Sequence, residues 1–326
     1  MTPSERSCTW TVEDSESGQR FDVIVASRLP DVSRAQAKRW IEQDRALLDG
    51  EPARPSRLCR AGQRIEISLP PPTSATPEPE AIALDVVFED RDLIVINKPA
   101  GMVVHPSPGH ATGTLVNALL AHADDLSGIG GVARPGIVHR LDAGTTGLIV
   151  VAKNDRAHHS LARQFERREV DKRYLAVVFG WPTERLILDR PIGRDRVHRT
   201  RISSRSARAR EARTELELVQ RLPLAALVSV RIYTGRTHQI RVHSSEAGHP
   251  VVGDLDYGAP RRRAGLPARD AAAFRLLRDF PRPALHAFQL ALRHPTTGDP
   301  VRWEAPLPAD MAELLSKLRK LGGNES

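Results

Sequence analysis

The chain has 326 residues and a formal net charge of +8, from 48 Lys and Arg against 40 Asp and Glu, enough to bury one sizeable core and carry a small second domain. An excess of Arg over Lys suits phosphate, since a guanidinium fork bonds two oxygens at once and stacks on bases, so a nucleic-acid partner is favoured over a membrane. No apolar stretch approaches a membrane span, residues 1–18 lack the apolar run of a signal peptide, and Cys8 and Cys59 alone make neither a disulfide framework nor a zinc site, which points to the reducing cytoplasm.

Residues 1–18 are expected to form a flexible tail, followed by a small domain over 19–69. Ser33, with Gln36 three residues on, reads as a capping box. The helix after it puts Ala37, Trp40 and Ile41 on one face and leaves Arg34, Lys38, Arg39 and Arg45 largely elsewhere. Asp49-Gly50 signals a hairpin turn, and Ile65, Ile67 and Leu69 alternate as a half-buried strand. Residues 70–81, opening on three prolines, cannot pack a core and read as an extended, semi-rigid linker.

A larger domain is expected over 82–315, with a helix end and tail over 316–326. Val86 to Ile96 reads as two strands joined by a turn at Glu89 to Asp92, and Gly113 to His122 as a short helix with Leu115 and Leu119 inward. From His139 to Ile149, one carboxylate, Asp142, stands in a loop that two glycines make sharp. Arg134-Pro135-Gly136 marks a turn before it, and Leu148 to Ala152 is a continuous apolar run that reads as a buried strand. Asp142 therefore sits at the mouth of a strand held still by the core, where a catalytic group is well supported. Seen alone, it could equally bond its own backbone two residues on.

Asp155 is expected to cap an amphipathic helix with Leu161 and Phe165 one turn apart. Strands then dominate through Tyr174, Arg213 to Val219 and Leu227 to Tyr233. The class is α+β, with a mixed, largely antiparallel sheet flanked by helices, beside a small N-terminal α/β unit. Residues 261–280, rich in Arg and Ala, read as a partly helical insertion, and Ala309 to Leu321 as a basic amphipathic helix. His105, His110, His139, His238 and His243 show no metal-ligand spacing, and Gly128–Gly131 and Gly144–Gly147 read as turns, so neither metal nor cofactor is expected. His238 and His243 fit local hydrogen bonds or RNA contacts.

Five segments, taken in order, carry a resemblance: Asn97-Lys98-Pro99-Ala100-Gly101, His139 to Ile149, Lys172 to Gly180, Thr234 to His243, and His249 to Asp254. From about residue 82 to about 315 the chain closely resembles the RluA/RluD-type family of RNA pseudouridine synthases. The helix-then-hairpin unit, with Arg54, Arg57, Arg60 and Arg64, is similar to the alpha-L RNA-binding domain that precedes many members.

The resemblance implies the pseudouridine synthase fold and the isomerisation of a uridine flipped out of its RNA. Asp142 matches the family's nucleophile, which attacks either ribose C1′ or uracil C6. Arg241 matches the cation that keeps it ionised in a closed pocket; Gly235 and Thr237 would give a turn and an N-cap that place it one turn into a helix, with Ile240 and Ala247 on the core. Tyr174 would lay its ring on the uracil with its hydroxyl near C5, as general base or positioning group; a plain core tyrosine is the alternative. Arg140 matches the residue that fills the vacated stack, or else clamps a phosphate. His139, Arg236 and His238, and Arg34, Lys38 and Arg39 in the small domain, are expected RNA contacts. The expected partner is large-subunit (23S) ribosomal RNA, as for RluD-type enzymes, bound by a monomer. An RluC-type specificity, a non-catalytic RNA-binding assembly factor on the same fold, and a metal-dependent nuclease using Asp142, Asp254 and Asp256 stand as alternatives. Ser244-Ser245 departs from the apolar residue common after His243.

Overall fold

The computed structural model describes residues 6–29, 32, 34–69, 77–106, 110–123, 135–198, 201–258 and 267–323. Two compact units divide between residues 75 and 76. In the first, β1 (Arg6–Thr11), α1 (Phe21–Arg28), α2 (Arg34–Glu42), β2 (Ala46–Leu48), β3 (Glu51–Pro52) and β4 (Arg64–Leu69) make an antiparallel sheet of order β1-β4-β2-β3 with two helices. Phe21, Ile24 and Val25 of α1 and Ala37 and Ile41 of α2 are buried on Ile65 and Ile67 of β4. Asp49 and Gly50 both take the left-handed conformation, at φ 56° and 81°, as a tight right-twisted hairpin requires.

The tail expectation fails for this segment. Residues 6–11 form β1, paired along all of β4 from Arg6 opposite Leu69 to Thr11 opposite Arg64. The signal lay in the alternation Cys8, Trp10, Val12, whose side chains all pack on the small core. Ser33, the expected cap, lies outside the described residues.

The second unit runs β5 (Val86–Glu89), β6 (Leu93–Lys98), α3 (Leu115–His122), β7 (Thr146–Ala152), α4 (Asp155–Glu166), β8 (Asp171–Phe179), β9 (Arg185–Asp189), the ribbon β10 (Gly193–Arg194) and β11 (Ile202–Ser203), β12 (Arg213–Leu222), β13 (Ala225–Ile232), α5 (Gln239–Glu246), α6 (Ala268–Arg278), β14 (Leu285–Arg293), β15 (Pro300–Glu304) and α7 (Ala309–Gly322). Apart from the ribbon, these strands form one sheet of order β5-β6-β7-β14-β8-β13-β12-β9, with β15 added to β14. The pairings are antiparallel except β7 with β14, which is parallel. Both faces are covered. One carries Leu115 and Leu119 of α3 and Ile240 of α5; on the other, α4 packs on β6 and β7 and α6 and α7 pack on β8 and β13. All seven residues of β7 are therefore buried.

Two boundaries shift. Asn154, not Asp155, caps α4: its side-chain oxygen accepts from the Ala157 N–H at 2.9 Å. Within the stretch read as linker, Pro77 is buried, Glu78 C=O accepts from Asn117 Nδ2 at 2.8 Å, and the Glu80 N–H donates to Asn117 C=O at 2.9 Å. In the 261–280 insertion, 261–266 lie outside the described residues and the rest is mostly α6.

Gly147 lets β7 and β14 meet. Its φ is +109°, and a Cβ there would stand 2.3 Å from the Ala287 carbonyl oxygen. Gly147→Ala must both strain the backbone and push the strands apart, so it is expected to lower unfolding free energy by at least about 2 kcal/mol. Denaturant unfolding read by circular dichroism checks this; an unchanged midpoint would show that the junction yields freely.

Candidate active site

The loop between Leu141 and β7 is fixed by its carbonyls. Asp142 C=O accepts from the Thr145 N–H at 3.0 Å, and Ala143 C=O accepts from the Gly101 N–H at 2.8 Å and Lys98 Nζ at 3.2 Å. Gly144 C=O accepts from Arg282 Nη1 at 3.1 Å. Lys98 has no exposed surface, and its ammonium also donates to the Pro99 and Met102 carbonyls at 2.7 and 2.9 Å. Burial pushes its pKa down to about 7, against the pull of Asp142. Held in this way, the Asp142 carboxylate points into a cleft of about 520 Å³ whose walls include Arg140, Lys172, Tyr174, Arg236, His238 and Arg241. A single nucleotide fits a cavity of that size.

Arg241 governs the electrostatics. Its Nε and Nη2 donate to both oxygens of Asp254 at 2.6 and 2.7 Å, and Nη2 also reaches Asp256 at 2.7 Å. The guanidinium lies over the Tyr257 ring, 5.0 Å from its centroid. The remaining arm, Nη1, stands 3.4 Å from Asp142 Oδ2. Burial would discharge Arg241, but the carboxylates outweigh it and hold its pKa above the ordinary value. Asp142 thus faces a permanent cation that other acids already hold, and a loose contact leaves its oxygens available.

Tyr174 and Lys172 share one face of β8, and Tyr174 belongs to the core that carries α3 and α5. Burial first, then Asp142, raises the Tyr174 pKa, so its hydroxyl keeps its proton at neutral pH. His139 turns inward: Nε2 accepts from the Val150 N–H at 3.0 Å and the ring stacks on Phe165, 4.6 Å between centroids. Burial and the Lys172 charge push its pKa down to about 3, leaving it a neutral wall of the cleft. Arg140 is exposed on the rim and makes no ion pair among the described residues. Arg236 donates Nε to Glu211 C=O at 3.2 Å.

His238, and not Thr237, takes the residue before α5, and it does so in the left-handed region at φ 55° without a side-chain cap. Such strain in a residue other than glycine tends to mark function. Its Nδ1 is 2.8 Å from the Tyr257 hydroxyl and its Nε2 is 3.9 Å from Asp142 Oδ2. Gln239 knits the loop: its Oε1 accepts from the Arg236 N–H at 3.1 Å and the Thr234 hydroxyl at 2.6 Å. His243 is buried between Thr214 Oγ1 and Arg190 C=O, each at 2.9 Å. Beneath it, the Ser244 hydroxyl is buried with no partner among the described residues, and Ser245 bonds Tyr257 C=O.

Lys98, Gln239 and the pair Asp254 and Asp256 are the residues that sequence reasoning left without these roles. The nuclease alternative is overturned for the two acids, because Arg241 fills the space between them and Asp142. Among the described residues, only Asp90, Asp92 and His294 lie close enough together to hold an ion. Their atoms are already used: Asp90 bonds His294 at 2.8 Å and two backbone N–H groups, and Asp92 bonds Asn154 at 2.9 Å. In the first unit, Arg34, Lys38 and Arg39 lie exposed on α2, with Arg34 3.1 Å from the buried Asp22 and Lys38 3.5 Å from Glu42.

Residues 92–246 match the RNA pseudouridylate synthase family, and residues 19–65 match the S4 domain. An uncharacterized RNA pseudouridine synthase of Bacillus subtilis is 42% identical over 313 residues, 96% of this chain and 98% of that protein. The ribosomal large subunit pseudouridine synthase D of Nitrosomonas europaea is 44% identical over 319 residues, 98% of this chain and 90% of that protein. A solved structure, human RNA pseudouridylate synthase domain containing 1, superposes with a TM-score of 0.53 at 28% identity, covering 74% of this chain and 96% of its own.

Asp254 and Asp142 both meet Arg241, yet they differ in what they hold together. The Asp254 side chain has no exposed surface, whereas that of Asp142 is 20% exposed and stands farther off. Asp254→Asn strips a buried guanidinium of its main partner and is expected to cost about 3 kcal/mol or more, while Asp142→Asn stays within about 1 kcal/mol. Urea unfolding of both variants checks the contrast, and equal losses would remove Asp254 as the anchor.

Proposed function

The chain belongs to the RNA pseudouridylate synthase family, and on that premise we propose that it isomerises specific uridines of large-subunit ribosomal RNA to pseudouridine, with Asp142 as nucleophile. Family membership makes it an isomerase; the substrate follows the Nitrosomonas europaea relative, whose name specifies the ribosomal large subunit. One observation carries the reading: a carboxylate aimed into a nucleotide-sized cleft, 3.4 Å from a guanidinium that two other acids keep charged.

The reaction breaks the bond from C1′ to N1, turns the base, and rejoins it through C5. Asp142 attacks C1′ or C6, and Arg241 keeps it ionised against the desolvation that an occupied cleft imposes. With its raised pKa, Tyr174 acts as a neutral hydroxyl that holds the uracil in place rather than as a standing base. The target is flipped from its stack, and the flat guanidinium of Arg140, on the rim, fills the gap. Arg236 and His238 line the way in. The exposed Arg39 and Lys38 of α2, with Arg34, meet RNA phosphates outside the cleft. His139 supports the RNA path from below, as a wall. We take the protein to work as a cytoplasmic monomer without cofactor, and Arg241, set among Asp142, Asp254 and Asp256, argues against a metal at those acids.

Asp142→Asn keeps the shape and loses the nucleophile, so single-turnover conversion should fall by at least about a thousandfold while affinity for a ribosomal RNA fragment changes little. Mass-spectrometric detection of pseudouridine checks this; conversion at a comparable rate would remove Asp142 from the chemistry.

The N-terminal unit has its own core. Deleting residues 1–75 should weaken RNA binding and flatten its salt dependence, because each neutralised phosphate releases counterions, while the single-turnover rate at saturating RNA is retained. Binding across a salt series measures it. Equal slopes for the two proteins would show that the unit does not touch RNA.

A further inference from the structure

Two buried lysines of the second unit are treated differently. The Lys98 ammonium, with three donors, meets three backbone carbonyls. Lys172 is only 8% exposed, yet its Nζ has no hydrogen bond and no ion pair among the described residues. What it touches is the face of Phe165, 5.5 Å from the ring centroid. The adjacent acid, Asp171, is turned to Arg173 and Arg231 at 3.2 and 2.7 Å. A desolvated ammonium without acceptors costs several kcal/mol in principle, and burial pushes the Lys172 pKa down to about 8. A lysine serving only the fold would gain from carbonyls, as Lys98 does.

The ammonium opens into the cleft. It shares the lining with Tyr174, Arg140 and Arg236, and Gly235 stands beside it, where a Cβ would come only to ordinary contact distance, 4.0 Å from Nζ. We propose that Lys172 is an anion subsite of the cleft and binds a phosphodiester next to the nucleotide whose base lies against Tyr174. This rests on reading the cleft as the synthase site.

Spacing and charge favour phosphate over a uracil carbonyl. Lys172 and Tyr174 are two residues apart on one strand face, about 6.7 Å along β8, a separation suited to a base and its neighbouring phosphate. A carbonyl offers one neutral acceptor, whereas a phosphate offers a charge and several oxygens to three donors. Arg140 and Arg236 on the same lining draw the backbone to that place.

The test compares wild-type protein with Lys172→Met on a ribosomal RNA fragment that wild type converts, and on a series in which each member carries one methylphosphonate linkage. A charge-assisted bond of this kind corresponds to about tenfold in affinity. Lys172→Met should bind the fully charged fragment about tenfold more weakly, and Lys172→Arg should recover part of that loss. One linkage, beside the converted uridine, should weaken wild type about tenfold and leave Lys172→Met unaffected. Because the variant exchanges an ammonium without acceptors for an apolar chain that can still pack on Phe165, it should melt no lower than wild type, which separates lost contact from lost fold. Unchanged affinity in Lys172→Met would overturn the proposal, and so would a series in which every linkage penalises the variant as much as wild type, the result that a uracil contact would give. The synthase reading is scored separately, by whether wild type makes pseudouridine in the fully charged fragment.

Discussion

A guanidinium that cannot lose its charge, set among three carboxylates, is what the cleft is built around. Arg241 enters from α5, and its principal partner, Asp254, follows the sharp turn at Gly253, where a Cβ would come to 1.9 Å from Arg282 C=O. The same Arg282 holds Gly144 C=O in the Asp142 loop and pairs with Asp310 at the start of α7. Helix, turn, loop and C-terminal helix are thus joined through two arginines. Buried pairs of this type do little for net stability compared with apolar packing, but they punish the loss of one partner severely. They fix geometry more than they add stability.

That arrangement divides the labour between acids. Asp254 surrenders both oxygens to Arg241 and is structural, while Asp142 receives only long contacts, from Arg241 and His238, and keeps its lone pairs. Neutral surroundings complete the picture: His139 is held uncharged, and Tyr174 keeps its proton. Beside these neutral groups, the charges of Asp142, Lys172 and Arg241 on the same lining feel one another through a poorly screened medium.

The sequence showed Asp142 and its strand because turn, glycines and apolar run all lie within the 19 positions from Arg134 to Ala152, where local rules act. Asp49-Gly50, α3 and the antiparallel strands were legible for the same reason. Roles made by distant chain segments were not. Lys98 stands within a motif, but its bond to Ala143 spans 45 positions, and nothing local says which backbone a lysine will meet. Asp254 had a role only in the nuclease alternative, because its cation is a side chain 13 positions away. Caps moved by one residue at Asn154 and His238, where neighbouring polar residues compete for one position and tertiary contacts decide. β1 is not legible from its neighbours although Cys8, Trp10 and Val12 alternate; a short strand at the edge of a sheet gains its meaning only from β4.

The parallel pairing of β7 with β14 joins segments far apart in the chain. Thr146 Oγ1 and His286 Nδ1, 2.9 Å from each other, are separated by 140 positions. On the ribosome the chain emerges N-terminus first, so Asp142 leaves the exit tunnel long before β14 and Arg282 arrive to set its loop. The N-terminal unit, whose sheet closes within its own short span, has no such wait. A nascent chain therefore lacks a set Asp142 loop until β14 has been made, and that carboxylate is not aimed into a finished cleft while the domain is half built.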